Sequence, residues 1–208
     1  MAILHRAKLT PSKLEILSAH ISAQLWFPPT ESPVFRIVGA YRFDDPEGEV
    51  GVETHLVTVG DGPVIQIPLT YRGAPRQGAD ESLIATMDHS VLGRRWIHNA
   101  CDDPVYIREL VRTILTGGTQ VEQFVETADG PVFFEPTARV LGSGAAGTPV
   151  PPIDSVTSVL DGSNTIIAAG GVEIVVRHLL TESTDVSGHS LSGSWSGAEN
   201  PVLLALIR

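Results

Sequence analysis

The stretch FRIVGAYRFDDPEGEVGVETHLVTVGDGPVIQIPLTY, Phe35 to Tyr71, decides the fold. Its first run puts Phe35, Ile37, Gly39, Tyr41 and Phe43 on one side and Arg36 and Arg42 on the other, the period-two alternation of a half-buried strand. Asp44-Asp45-Pro46-Glu47-Gly48 is turn chemistry, and a second strand is expected over Glu49–Val59. Gly60-Asp61-Gly62 turns the chain again, after which Ile65, Ile67, Leu69 and Tyr71 alternate once more. Strands joined by short turns form an antiparallel meander, and its apolar face has to be covered by another element.

A covering helix is signalled just upstream. Thr10-Pro11 supplies an N-cap followed by a proline at the first helical position, Leu14, Leu17, Ile21 and Leu25 recur on one face, and Pro28-Pro29 stops the run. Downstream, Gly73 to Gly78 is a loop and Arg94–Ala100 a short strand. A second helix opens at Asp103-Pro104, buries Ile107, Leu110, Val111, Ile114 and Leu115, and closes at Gly117-Gly118. From Val121 onward only strand and turn signals remain. Gly142–Pro152 (GSGAAGTPVPP) has the composition of a linker or hinge. Strands are then expected at Val156–Leu160, Thr165–Ala169, Glu173–His178 and Pro201–Ile207, and the VLLALI of the last is apolar on both faces, as in a buried strand.

Composition narrows the classes. Of 208 residues 42% are hydrophobic and only 18% charged, which suits broad packed sheets and argues against disorder. The formal charge of -10, from 14 basic and 24 acidic residues, disfavours nucleic acid and anionic membrane as partners. Cys101 is the single cysteine, so there is no internal disulfide and no thiolate metal cluster. The N-terminus lacks the apolar run of a signal peptide and no stretch is long enough for a membrane span, so a cytoplasmic protein is expected.

Several motifs lose their meaning in context. Gly142-Ser143-Gly144-Ala145-Ala146-Gly147 matches a dinucleotide-binding fingerprint in form, but Pro149, Pro151 and Pro152 forbid the helix that would receive the pyrophosphate. Gly188-His189-Ser190-Leu191-Ser192 is half a nucleophile elbow without its closing glycine. The seven histidines show no short metal-ligand spacing. Asp44, Asp45, Glu47 and Glu49 have the setting of a solvated hairpin tip. The basic residues around the loop are more suggestive. Arg72, with Arg76 close by, leaves one strand while Arg94, Arg95 and Trp96 enter another; with His89 they form a candidate surface for an anion, a sugar or a partner. The alternative is that these arginines pair with the chain's surplus carboxylates.

The segment IPLTYRGAPRQGADESLIATMDHSVLGRRW, Ile67 to Trp96, with FDDPEGEVGVE at Phe43–Glu53, resembles actinobacterial proteins that carry a maltokinase N-terminal cap domain. The resemblance implies an α+β fold: a cystatin-like cap, one helix on a curved antiparallel sheet, over residues 1–120. A mostly antiparallel β lobe similar to a kinase amino lobe would follow over 121–208. In that lobe Asp161-Gly162-Ser163-Asn164-Thr165 and Glu173-Ile174-Val175-Val176-Arg177 resemble the phosphate-covering hairpin and the lysine-bearing strand of maltokinases. Ser163, Asn164 and Thr165 match the nucleotide loop, but Asp161 and Gly162 replace its first residues, and the lysine position falls on Val176, with Arg177 facing the opposite side. Where the kinase helix and its glutamate should follow, Thr181–Asn200 is rich in Ser and Gly.

These departures lead to the expectation of a non-enzyme with no catalytic residues, no cofactor and no metal. The expected role is a binding or regulatory module of glucan or sugar-phosphate metabolism, with a protein partner (a kinase catalytic lobe or a glucan-pathway enzyme) or a carbohydrate. The alternative is half of a split sugar kinase completed in trans. Glucan remodelling, which the branching-protein label of some similar proteins suggests, needs paired carboxylates on a larger scaffold.

Overall fold

The computed structural model describes residues 1–181 and 187–208. Chain order begins with β1 (Ala2–Ile3), β2 (Leu9–Thr10), α1 (Lys13–Ser22), β3 (Phe35–Phe43), β4 (Gly51–Val59) and β5 (Val64–Arg72). It continues through β6 (Leu83–His89), β7 (Gly93–Asn99), α2 (Pro104–Thr116), β8 (Gln123–Thr127), β9 (Gly130–Phe134) and β10 (Ala138–Gly142). The rest is strand: β11 (Val156–Asp161), β12 (Asn164–Ala169), β13 (Val172–Arg177), β14 (Leu179–Leu180), β15 (His189–Trp195) and β16 (Val202–Ile207). The class is α+β, with two helices and mostly antiparallel sheet among the described residues. No helix is long and apolar enough to cross a membrane.

The meander forms as expected and lies in a curled sheet of order β2-β6-β7-β5-β4-β3, with β14 added beside β5. A second sheet, order β10-β15-β16-β13-β12-β11, is antiparallel throughout. A small third sheet joins β1 in parallel to the β8-β9 hairpin. Strand β6 carried no clear sequence signal, because its LIATMDH run is mostly half-buried and a bulge between Leu83 and Ala85 breaks the alternation. A similar bulge in β3, between Ile37 and Gly39, leaves Ile37 exposed while Gly39, Tyr41 and Phe43 stay buried.

Helix α1 differs from expectation at both ends. Ser12, not Thr10, is the N-cap: its hydroxyl accepts from the Glu15 N–H, and the Glu15 carboxylate accepts from the Ser12 N–H at 2.8 Å, a closed capping box. The helix stops at Ser22, so Leu25 lies beyond it and is 95% exposed; Leu14 is also exposed. The buried face is Ile16, Leu17 and Ile21, packed on Val57, Ile65, Ile67, Leu69, Met87 and Ile97 of the sheet. Helix α2 forms as expected, with Asp103 as N-cap, Gly117 in the left-handed region as C-cap and the whole expected stripe buried.

Helix α2 and the second sheet cover the opposite face of the curled sheet. Tyr41, Phe43 and Leu56 share one core with Leu110, Ile114, Val140, Ile167, Val176 and Leu204. Gly142–Pro152 is no free linker. Gly144 and Ala145 donate to the carbonyls of Ile114 and Leu115, the last turn of α2, and Ile153 is 1% exposed. A Cβ on Gly144 would stand 1.9 Å from the Leu115 oxygen, so only glycine lets the strap lie this close.

The two sheets are clasped by one side chain. Gln66, on β5 and fully buried, donates to the carbonyls of Arg177 (2.9 Å) and Leu204 (3.1 Å) and accepts from the Tyr41 hydroxyl (3.0 Å). Its backbone N–H donates to the His178 carbonyl. Replacing Gln66 with Leu would remove three side-chain hydrogen bonds from the junction, and each buried polar group left unpaired costs about 1–3 kcal/mol. Gln66→Leu is expected to lower unfolding free energy by about 3 kcal/mol or more in urea titration, whereas loss below 0.5 kcal/mol would show that the clasp is dispensable.

Candidate functional site

A cleft of about 710 Å3 separates the N-terminal arm from the α1 side of the curled sheet, with Leu4, His5 and Ala7 on one wall and Arg42, Glu53, Tyr71 and Arg95 on the other. Helix geometry puts a charge at its floor, because Lys13, Ile16 and Leu17 stand at i, i+3 and i+4 and so share the face that meets the sheet. The Lys13 ammonium reaches the Glu53 carboxylate at 2.5 Å and lies 5.6 Å from the centre of the Tyr71 ring. Glu53 and His55, two apart on β4, share a face; His55 Nε2 is 3.4 Å from the Glu53 carboxylate and 3.0 Å from the Tyr71 hydroxyl.

Burial by itself would raise the Glu53 carboxyl, but the His55 ring, Lys13 and Arg42 outweigh it and hold the group well below the ordinary carboxylate value. Burial, reinforced by the Glu53 charge, pushes the Tyr71 phenol well above its usual range. Glu53 is therefore a fixed anion and Tyr71 a fixed neutral phenol. None of Glu53, Lys13 and His55 stood out in the sequence. The available signal was a charged residue in the apolar strand VETHLV, followed two residues later by a histidine.

The basic residues divide. Arg72 points to the other face, where Asp103, 0% exposed, accepts from its Nη2 at 2.8 Å and its Nε at 3.0 Å, and also from Thr70 Oγ1. Burial opposes ionisation of Asp103, but the Arg72 bonds and charge hold its carboxyl below the usual range. Arg72 is thus spent on a carboxylate, and Arg76 on the Asp102 carbonyl. Arg95 and His89 line the cleft. Arg94 is exposed, and Trp96 is half-buried opposite Arg72 and Thr86. The structure brings His89 and Arg95 together and leaves Arg72, Arg94 and Trp96 elsewhere.

The Ser163–Thr165 segment is the tip and start of the tight β11-β12 hairpin, with Asp161 facing Asn164. The Ser163 carbonyl accepts from the His178 N–H, and Thr165, 4% exposed, bonds His178 Nε2 at 2.8 Å. Val176 is wholly buried opposite Thr165. Arg177 faces the other way and donates to the carbonyls of Leu203 and Thr181. Of Thr181–Asn200, residues 182–186 lie outside the described residues, and β15 occupies His189–Trp195.

One helix on a curled antiparallel sheet, ending where Asp103 caps the next helix, coincides with a family match: residues 20–103 fit the model of the maltokinase N-terminal cap domain. The chain carries a maltokinase N-terminal cap domain. The matched segment runs from the last turn of α1 to the N-cap of α2, so the cap domain includes Glu53, His55, Tyr71 and Arg95, while Lys13 lies just ahead of it. No curated protein matches the chain.

Two outcomes follow from these buried titratable groups. Lys13→Met would strand Glu53 against a reduced counter-charge and is expected to cost about 3 kcal/mol at pH 7. The carboxylate contribution is present above the unfolded Glu pKa and lost as pH falls through the folded one, so the wild type–variant gap in urea stability should narrow in acid. A gap independent of pH would contradict the ion pair. The histidines add a second slope. Burial, helped by the His178 charge, lowers the His20 ring to about 4, and burial lowers His178 as well. Between about 6.5 and 4 the unfolded chain then binds protons that the folded chain refuses, so stability falls as pH falls through that window. His20→Gln should flatten the slope; an unchanged slope would exclude His20 as its source.

Proposed function

We propose that this chain is a non-catalytic module related to the maltokinase cap, a binding or regulatory component of glucan or sugar-phosphate metabolism. The observation that carries the reading is Val176. In the resembled kinases the third strand of the amino lobe presents a lysine to the ATP phosphates. Here that position is a valine packed in the core, and the adjacent Arg177 is held on backbone carbonyls of the opposite face. The hairpin before it is also committed to structure, since the Thr165 hydroxyl is buried against His178. The only lysines in the chain are Lys8 and Lys13, both upstream of the matched cap segment. The β11-β12-β13 arrangement, a hairpin followed by a third antiparallel strand, supports kinship of the second sheet with a kinase amino lobe.

A split sugar kinase completed in trans is the second reading, favoured by the half-exposed Ser163 and Asn164 at the hairpin tip. Thermal unfolding with millimolar Mg-ATP separates the two, because a ligand that binds the native state raises the transition. The expected result is no shift with Mg-ATP, and capture of a protein partner from the source cytosol without transfer of phosphate from ATP to maltose. A saturable Mg-ATP shift that Asn164→Ala abolishes would overturn the non-catalytic reading.

A further inference from the structure

The cleft beneath the N-terminal arm holds guanidinium groups that none of its carboxylates pairs. In a chain with 24 acidic and 14 basic residues, surplus carboxylates are available to every arginine. Those lining this cleft are nevertheless engaged elsewhere. Asp44 is bound by the N-terminal ammonium, Asp45 accepts three backbone N–H groups of its own turn, and Glu53 is held by Lys13. Only Glu49, at the exposed rim, has no partner of this kind among the described residues.

Two guanidiniums on the sheet wall remain. Arg42 makes no side-chain hydrogen bond or ion pair among the described residues. Arg95 donates one Nη2 bond to the Leu92 carbonyl, while its Nε is buried without an acceptor. A buried, unpaired guanidinium donor is costly unless something else completes it. His89 adds a third group. Its Nδ1 accepts from the N–H groups of Val91 and Leu92, which leaves the proton on Nε2 and makes the ring a neutral donor.

We propose that this cleft is a binding site for a small phosphomonoester, whose phosphate is held by Arg42 and Arg95 with His89 as an additional donor. Two forked guanidiniums and an imidazole N–H match the three acceptor oxygens of a phosphate dianion better than the two of a carboxylate. A cleft of about 710 Å3 has room for a body the size of a sugar beyond the phosphate. The inference deepens the binding-module reading by naming the ligand class. It uses residues other than the Ser163–Thr165 hairpin, so the Mg-ATP experiment and the one below fail separately.

The test is calorimetric titration of the full chain at constant ionic strength with glucose 1-phosphate, inorganic phosphate and glucose, repeated on Arg42→Gln, Arg95→Gln and Arg94→Gln. Saturable binding of glucose 1-phosphate is expected, with weaker binding of inorganic phosphate and none of glucose. Arg42→Gln and Arg95→Gln should each weaken it by about tenfold or more, as loss of a charged hydrogen-bond donor does. Arg94→Gln, on the exposed neighbour outside the cleft, should leave it unchanged. The two critical variants lie on different strands, and unliganded melting curves establish that each is folded. No saturable binding by the wild type, equal binding of glucose and its phosphate, or equal affinity in folded Arg42→Gln and Arg95→Gln would each overturn the proposal.

Discussion

The structure depends on a buried glutamine. A curled sheet covered by α1 on one face still exposes its other face, and the second sheet supplies the cover. Apolar packing alone would let two sheets slide, since it is indifferent to register. Gln66 removes that freedom, because its amide reaches carbonyls on β13 and β16 at once while Tyr41 closes the bond from β3. The neighbouring β14 then pairs with β5 itself, so the chain passes from one sheet into the other immediately after β13. Every polar group at the clasp is satisfied, which makes the junction specific and makes its loss expensive.

That junction also explains why the cleft lies where it does. With one face of the curled sheet given to α2 and the second sheet, polar residues of opposite phase on β3, β4 and β7 face α1 and the N-terminal arm. Arg42, Glu53, His55 and Arg95 all fall on that side. The arm, tethered by β1 to β8 and by β2 to β6, forms the far wall. The Arg72–Asp103 pair does the complementary work on the other face, joining the end of β5 to the start of α2 and taking Arg72 out of any ligand site.

Much of the fold was legible in the sequence where one physical signal dominated. Alternation placed β3 and β5, flanking turns placed β4, the two-faced apolar run VLLALI placed β16, and the Asp103-Pro104 start with the Gly117 stop fixed α2. The failures have local causes. Thr10-Pro11 resembles a helix start, but the reciprocal Ser12–Glu15 bonds put the N-cap two residues further on. A bulge obscured β6, and the Gly-rich composition of Gly142–Gly147 suggested slack where glycine serves close contact with α2. The site was less legible. Arg95 and His89 were singled out, but Arg72 was grouped with them although its strand phase sends it to Asp103. Lys13 meets Glu53 and His55 only through tertiary packing, over a separation that no local pattern encodes.

The central claim is that the cap sheet and the second sheet form one cooperative unit locked through Gln66. Native-state hydrogen exchange reads this directly, because amides that open only by global unfolding report one common free energy. The structure predicts that core amides of β4 and β5 and those of β13 and β16 exchange at the same free energy, equal to that of urea unfolding. Two separated levels, with the second sheet opening while β4 and β5 stay protected, would contradict it.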